Sequence, residues 1–327
     1  GGPPAYSWTP LATHSTRSLR EIWGASASEV FAAADLFDVL RFDGSIWIHI
    51  VGPTADSLSF GGLSGRAAND WYVVGSRRTA APPPCGGPAG RTTSAFVLRY
   101  DGTKAIDAAF PFVCNSAHRG AWVGPQSVVA VGNSPFDPTL DLGEQIGRVW
   151  RLRDDAWSPE FSLNRTHELS AFLHAWGSGE QDVYAVGGRN LFGSAQTPLG
   201  VIAHYDGVAW SVVADEIEHP LNVVWGTSPS NVFAVGQNGI ILHFNGAAWT
   251  RQESGVTVNL NGLWGSSANN VLAVGAGGTI LQYDGHTWTR LESGTTTGLT
   301  AVWMTESGDK TFVVGQGGLS LLGTVQP

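Results

Sequence analysis

Short apolar runs alternate with polar turns along most of this chain. The runs 232–235 and 240–244 are rich in β-branched or aromatic residues and are bounded by Gly or Asn, which is typical of β-strands. Helical periodicity is absent. Between pairs of such runs stands a dipeptide that tolerates the positive φ of a tight hairpin turn. It occurs as Asp43-Gly44, Asp101-Gly102, Asp206-Gly207, Asn245-Gly246 and Asp284-Gly285. The pattern predicts antiparallel β-structure.

The pattern repeats with a period of 39 residues. Two tryptophan series share this spacing, namely Trp210, Trp249 and Trp288, and Trp225, Trp264 and Trp303. Weaker copies begin near residues 19, 63, 119 and 172, which makes seven copies. About four short strands fit into one period, so each copy predicts a four-stranded antiparallel sheet with strands A, B, C and D. Seven such sheets, arranged radially, form a β-propeller.

The two ends of the chain complete one copy between them. Trp210, at the end of one copy, precedes Trp225 of the following copy by 15 residues, and Trp8 precedes Trp23 by the same number. The last copy stops where its C–D turn should follow, so it lacks a D strand. We therefore predict an all-β, seven-bladed propeller as a single domain over 1–327. Its seventh blade combines 299–325 with an N-terminal strand over 5–12, and this closure hides sheet edges that favour association.

Two segments carry a family resemblance. "DVYAVGG" from Asp182, followed by "HYDGVAW" from His204, resembles a kelch repeat. "VGAGGTILQYDGHTW" from Val274 is similar to the Asp-box repeats of sialidase-like and photosystem-assembly propellers. Both resemblances imply a β-propeller. The double Gly of kelch stands only at Gly187-Gly188, and the spaced Ser-x-Asp-x-Gly of an Asp-box is absent. The resemblance thus implies a fold, and no sialidase catalytic residue is carried over.

Composition narrows the classes of function. Charged residues make up only 14 % of the chain, against the usual quarter, whereas 43 Gly and 14 Trp indicate many turns and a large aromatic content. The net charge of −9 argues against a nucleic-acid partner. No apolar run is long enough to predict a membrane span. We expect a monomer without cofactor or metal.

The opening "GGPPAYSW" is typical of a linker behind a removed signal or anchor, although an expression scar would have the same composition. From this we expect a secreted, periplasmic or cell-surface protein.

Three consecutive copies carry insertions between strands B and C, at 76–94, 133–147 and 188–200. Because strand direction alternates, the B–C loops and the D–A connections lie at the same end of every blade. Binding residues concentrate on variable loops held by a rigid scaffold. The alternative is drift, since long surface insertions cost little. We favour binding, because drift does not readily place three insertions side by side.

Both cysteines belong to this end of the second copy. Cys85 lies in the first insertion and Cys114 in the D–A connection that follows. A disulfide between them would hold a Pro-rich loop that has little core of its own, and we predict this pairing. Two reduced thiols are the alternative.

The candidate ligand-binding residues lie in the insertions, in the D–A connections or near the start of strand A. They are Arg20, Arg77, Arg78, Arg91, His118, Arg119, Asp137, Asp141, His167, Arg189, Asn190, His219, Asn222 and Asn261. The histidines could ligate a metal or act as acid or base, or simply lie on the rim. Four of these candidates stand three residues before the A-strand Trp, namely Arg20, Arg119, Asn222 and Asn261. They could line the central channel and bind an anionic or polyol ligand, or only water. The two aspartates could face the arginines as a lid or an active site.

Two hypotheses follow. The first is a non-enzymatic extracellular or surface propeller that binds a protein or a glycan through the D–A and B–C loops. The second is a lyase or hydrolase that acts on a polysaccharide or small polar substrate with a His and Arg site at the channel mouth. We prefer the first, because what repeats between copies is structural, and no catalytic motif stands out.

Overall fold

The computed structural model describes residues 5–36, 38–51, 58–80, 91–135, 145–163, 169–191 and 196–326. Within these ranges the chain forms seven four-stranded antiparallel sheets, which we call blades. The chain divides into two compact units. The first unit comprises Gly1–Gly52 and Leu221–Pro327, and the second comprises Pro53–Pro220. The described ranges contain no helix that is long and apolar enough to cross a membrane.

The first unit contains blades one, five, six and seven. Blade one consists of β2 (Leu19–Ser26), β3 (Glu29–Ala34), β4 (Asp38–Phe42) and β5 (Trp47–Val51). Blade five consists of β18 (Leu221–Ser228), β19 (Asn231–Gly236), β20 (Ile241–Phe244) and β21 (Trp249–Gln252). Blade six consists of β22 (Leu260–Ser267), β23 (Asn270–Gly275), β24 (Thr279–Tyr283) and β25 (Trp288–Leu291). Blade seven consists of β26 (Leu299–Met304), β27 (Lys310–Gly315), β28 (Ser320–Val325) and β1 (Tyr6–Pro10).

The second unit contains blades two, three and four. Blade two consists of β6 (Leu58–Ala67), β7 (Asp70–Ala80), β8 (Arg91–Tyr100) and β9 (Ala105–Asp107). Blade three consists of β10 (Ala117–Val123), β11 (Val128–Pro135), β12 (Gln145–Arg153) and β13 (Ala156–Ser162). Blade four consists of β14 (Ala171–Gly179), β15 (Asp182–Arg189), β16 (Leu199–Tyr205) and β17 (Trp210–Ile217).

The N-terminal strand closes blade seven, as the tryptophan spacing predicts. β1 pairs antiparallel with β28, so that Tyr6 lies opposite Val325 and Pro10 opposite Leu321. The blade thus has the order β1, β28, β27, β26. The predicted four-stranded blades and their closure by the N terminus are confirmed.

The core lies between neighbouring blades rather than within one sheet. In the first unit, Phe42 of blade one meets Phe312 of blade seven with ring centroids 5.2 Å apart. In the second unit, buried Val149 of blade three and Phe172 of blade four belong to one apolar cluster. Both faces of each inner strand are covered in this way, which explains why the B strands are almost continuously apolar.

The repeated Trp-Gly dipeptide of strand A has a packing cause. A Cβ added at Gly24 would lie 2.8 Å from the Trp303 ring of the preceding blade, and one at Gly265 would lie 2.7 Å from the Trp225 ring. Glycine therefore leaves the space that the indole of the neighbouring blade fills. Because tryptophan buries a large area, the dipeptide serves blade-to-blade packing.

The four Asp-Gly turns and the Asn245-Gly246 turn form between strands C and D as predicted. The glycine adopts φ between +89° and +101° in all five turns. In blade one, the Asp43 Oδ1 accepts hydrogen bonds from the N–H groups of Ser45 and Ile46, each 2.9 Å long. The aspartate side chain is thus occupied by the turn itself.

The B–C connections divide into two kinds. Those of blades five, six and seven are tight 3-10 turns over Gln237–Gly239, Ala276–Gly278 and Gln316–Gly318. In blade two, however, the β7·β8 ladder continues from the Ser76 and Ala95 pair to the Ala80 and Arg91 pair. The prediction of a loop over the whole of 76–94 is therefore wrong, because the flanks of that insertion are strand. β-Branched Thr92 and Thr93 support this extension.

Candidate functional site

The candidate site lies at the end of the second unit that carries the extended B–C hairpins and the D–A connections. We call it the insertion surface. Its described residues are 76–80, 91–95, 107–118, 133–135, 145–148, 189–191, 196–200 and 217–220, together with Arg119, which follows the start of strand A. Asp137, Asp141, His167 and Cys85 lie outside the described residues, as does the side chain of Arg91.

Blade two presents cations and an apolar side chain here. Arg77 and Arg78 lie on the extended part of β7 and are exposed. The Arg77 Nη1 lies 3.9 Å from the Asp107 Oδ2 at the end of β9, and both side chains are about half exposed (44 % and 54 %). Phe112, in the D–A connection, is 45 % exposed. An aromatic ring and two arginines therefore face solvent on one blade.

The D–A connection of blade two is tied to the extended hairpin. Ser94 and Cys114 form an isolated antiparallel bridge. The Ser116 Oγ accepts a hydrogen bond from the Ala95 N–H at 2.9 Å, and the Asn115 N–H donates to the Thr92 Oγ1 at 3.2 Å. Cys114 is buried, and its pairing with Cys85 stays a prediction.

Blade three contributes a chain of polar side chains. The Arg119 Nε donates to the Asn133 Oδ1 at 3.3 Å, and the Asn133 Nδ2 donates to the Gln145 Oε1 at 2.6 Å. Beside them, the Arg148 Nε donates to the Ser134 Oγ at 3.2 Å. Burial lowers the pKa of both Arg119 and Arg148. Because partial burial disfavours a cation, these guanidinium groups would interact favourably with an acceptor of negative charge.

Blade four adds a buried ion pair and a strained asparagine. The Arg189 Nε lies 2.9 Å from the Asp215 Oδ1, and the Arg189 side chain is 6 % exposed. Asn190 follows with φ +55° and donates from its Nδ2 to the Thr197 carbonyl at 3.1 Å. Its Oδ1 is buried and has no hydrogen-bond partner among the residues that the structure describes. Buried acceptors of this kind are normally satisfied, so this oxygen could accept from water or a ligand.

The two described candidate histidines of this unit differ in character. His118 is 5 % exposed and meets Phe110 edge-on with ring centroids 4.3 Å apart. Burial lowers its pKa to about 3, so the ring is neutral. His219 lies half-buried in the D–A connection, with its Nε2 3.9 Å from the Glu218 Oε1. The burial of His118 favours a packing role over direct contact with a ligand.

The remaining candidates belong to the first unit and make scaffold contacts. Arg20 forms a two-point ion pair with Asp35, in which both N···O distances are 2.8 Å. The Asn222 Nδ2 donates to the Leu260 carbonyl of the next blade at 2.9 Å. Two side chains at the same repeat position act alike. Asn261 donates to the Leu299 carbonyl at 3.0 Å, and Thr300 donates to the Leu19 carbonyl at 2.6 Å.

The structure thus brings Arg77, Arg78, Arg119, Arg189, Asn190, His118 and His219 to the insertion surface. Sequence reasoning missed Arg148, Asn133 and Gln145, which complete the polar chain of blade three. The only available signal was their place at the ends of strands that flank an insertion.

The chemistry of the insertion surface suits recognition. Its described side chains include arginines, amides, hydroxyls and an exposed phenyl ring, beside two carboxylates and two histidines. Among the residues described, no group of three His, Cys, Asp or Glu side chains is placed to hold a metal ion.

Comparison with known proteins supports the fold. No protein-family model and no curated protein sequence matches the chain. A structure titled "YCF48 bound to D1 peptide" is similar with a TM-score of 0.66 and 14 % identity, covering 100 % of both chains. YCF48 from Cyanidioschyzon merolae gives 0.67 and 14 %, covering 97 % of this chain and 98 % of that one. The WD40 β-propeller domain of Doa1 gives 0.66 and 10 %, covering 99 % and 98 %.

The chain is therefore a seven-bladed β-propeller. At these identities the similarity concerns the fold, and neither a kelch nor an Asp-box repeat type is confirmed.

Proposed function

We propose that this propeller is a non-enzymatic binding protein that recognises a segment of another protein through the insertion surface. The observation that carries the proposal is the combination of extended hairpins, exposed Arg77 and Arg78, and exposed Phe112 on one blade. Arginine and aromatic side chains are the residues that most often dominate protein interfaces. The similar structure of YCF48 bound to D1 peptide supports the same use of the fold.

The partner is an extended segment with acidic and apolar residues. Guanidinium groups bind carboxylates and main-chain carbonyls through directed hydrogen bonds. Arg119 and Arg148 add two half-buried cations on the next blade. A segment that spans both blades could place carboxylates beside the arginines and an apolar side chain against Phe112.

We further propose that the protein is exported and that Cys85 and Cys114 form a disulfide. This bond would tie the first insertion to the D–A connection of blade two and limit the conformational entropy that binding must remove. Peptide mapping without reductant tests the pairing. A disulfide-linked pair of peptides, one with each cysteine, supports the pairing. Two separately alkylated cysteines in protein purified from an oxidising compartment contradict it.

The binding test uses arrays of synthetic 15-residue peptides that vary in acidic and aromatic content, together with a glycan array. Peptides that bind would then be measured by fluorescence polarisation against the double variant Arg77→Ala, Arg78→Ala. We expect acidic peptides with an aromatic residue to bind, and the double variant to weaken binding roughly tenfold or more.

The matched control is Arg290→Ala, which removes an exposed arginine from β25 in the first unit. Peptide affinity should be unchanged in this variant. Binding of glycans alone, or equal losses in the control and the double variant, would contradict the proposal.

A further inference from the structure

The C–D turn of blade five carries a side-chain amide where the corresponding turns of four other blades carry a carboxylate. Asn245 stands where four other blades have aspartate, and Gly246 follows with φ +89°. The Asn245 Oδ1 accepts hydrogen bonds from the N–H groups of Ala247 and Ala248, at 3.0 and 3.1 Å. All four turn residues are exposed.

This arrangement favours attack of the Gly246 nitrogen on the Asn245 side-chain amide. Such an attack places negative charge on Oδ1 in the tetrahedral intermediate. The two N–H groups already point at that oxygen, and preorganised donors aimed at a developing oxyanion lower a reaction barrier. Glycine also leaves its own nitrogen unobstructed, since it has no side chain.

We propose that Asn245 is a site of spontaneous deamidation and that the fold accepts the aspartate product. The Gly246 nitrogen loses its proton to water and forms a bond to Cγ. The Cγ–Nδ2 bond then breaks, Nδ2 takes a proton from water, and ammonia leaves to give a cyclic imide. Water opens the imide at one of its two carbonyl carbons, giving aspartate or isoaspartate. No oxidant or reductant is needed, and water is the only co-reactant.

The other two Asn-Gly pairs are placed unfavourably for this reaction. The Asn261 side chain donates from Nδ2 to the Leu299 carbonyl, and a Cβ at Gly262 would lie 2.7 Å from the Ala301 Cα. Gly239, which follows Asn238, is buried, and a Cβ there would lie 2.0 Å from the Val256 carbonyl oxygen. Crowded backbone at both glycines hinders formation of the five-membered ring.

The aspartate product already has four precedents in this chain. The side chains of Asp43, Asp101, Asp206 and Asp284 each accept the same two turn N–H bonds, with lengths between 2.7 and 2.9 Å. Aspartate at 245 should therefore keep the turn. Isoaspartate adds a backbone atom between residues 245 and 246 and should break the hydrogen bonds of the C–D turn.

The test is peptide mapping by mass spectrometry after incubation of the whole protein in mildly alkaline buffer. We expect acid and isoaspartyl forms of the Asn245 peptide to accumulate roughly tenfold or more faster than those of Asn238 and Asn261. In concentrated urea the three rates should converge. The Asn245→Asp variant should have the same Tm as the parent chain.

Three results would overturn the proposal. They are deamidation of Asn238 or Asn261 at least as fast as Asn245 in the folded chain, a faster reaction of Asn245 in urea than in the folded chain, and a lower Tm of Asn245→Asp. Asn245→Gln is the control for the assignment of the mass change, because its longer side chain should remain unmodified at this position.

Discussion

The Arg151 side chain shows how one buried cation holds two blades of the second unit together. It is fully buried, with its Nε 2.8 Å from the Glu160 Oε2 and its guanidinium 4.6 Å from the Tyr205 ring centroid. The same Glu160 oxygen accepts the Trp210 indole N–H at 2.9 Å. Strands of blades three and four thus share one polar cluster.

Replacing Arg151 with methionine should destabilise the protein by about 3–5 kcal/mol, because the mostly buried Glu160 carboxylate would lose its buried cationic partner. Urea unfolding followed by tryptophan fluorescence measures the change. Arg153→Met is the matched control, since Arg153 contacts the same Glu160 at 3.3 Å but is 49 % exposed. The control should change stability by less than about 1 kcal/mol. Equal effects of the two variants would show that burial does not decide the outcome.

The Asp-Gly turns should give the fold an acid-sensitive contribution. Hydrogen bonds from Ile46 and Ser45 lower the pKa of Asp43 to about 2, and bonds from Thr103 and Lys104 do the same for Asp101. A folded pKa below the unfolded value of about 3.9 means that this contribution is present above that pH. It is lost as pH falls from about 4 to about 2.

Asp43→Asn should preserve the turn at neutral pH, as Asn245 does in blade five, and should reduce the loss of stability between pH 4 and 2. Circular dichroism along an acid titration measures this, and NMR titration of the parent chain gives the Asp43 pKa. An Asp43 pKa near 4, or an unchanged acid transition in the variant, would contradict the assignment.

At the scale of the element, a B–C turn of the first unit can be bound by the side chain of the residue that precedes strand A of the next blade. The Asn259 Oδ1 accepts from the Asn238 N–H of blade five at 3.1 Å, and the Ser18 Oγ accepts from the Gly317 N–H of blade seven at 3.5 Å. Gly298 stands at the same repeat position before blade seven. It has no side chain to reach Gly277 of blade six.

Gly298→Asn should supply the missing contact and stabilise the protein by about 1 kcal/mol, from one hydrogen bond and a less flexible unfolded chain. Gly298 lacks positive φ, and its added Cβ would meet only the end of the exposed Gln316 side chain, at 3.1 Å. Thermal unfolding measures the gain. Gly298→Ala is the control and should give only the part due to chain entropy. A gain in Gly298→Ala equal to that in Gly298→Asn would argue against the hydrogen bond.

The strands could be predicted from sequence where the same packing contact or turn recurs in several blades and is made by the same residue types. Trp-Gly recurs in strand A of blades one, four, five and six, and the Asp-Gly or Asn-Gly turn recurs in blades one, two, four, five and six, so these residues reveal strand order. The ion pair of Arg189 with Asp215 leaves no such mark. It joins β15 to β17 in one blade only, and the partner of each residue depends on the local insertion. The candidate site could therefore be located on one end of the blades, but its contacts could not be derived.

At the scale of the whole molecule, β1 closes blade seven and so joins the two ends of the chain in one sheet. Tyr6 and Trp8 stack with ring centroids 5.5 Å apart and pack on the cluster between blades six and seven. Tyr6 also donates from its hydroxyl to the Asn270 Oδ1 of blade six at 3.3 Å. Without β1, the backbone groups of β28 would form an open sheet edge.

Removal of residues 1–10 should therefore destabilise the chain by on the order of 3 kcal/mol or more, from the loss of two aromatic side chains, and should promote self-association. Thermal unfolding and light scattering after size-exclusion chromatography measure the two effects. Removal of residues 1–4 alone is the control and should change neither, because β1 remains. A synthetic peptide of residues 1–12 added to the shortened chain should restore the Tm, since the strand joins the sheet by main-chain pairing and side-chain packing alone. If the shortened chain stays monomeric with an unchanged Tm, strand closure does not stabilise this propeller, and the inter-blade core is sufficient without it.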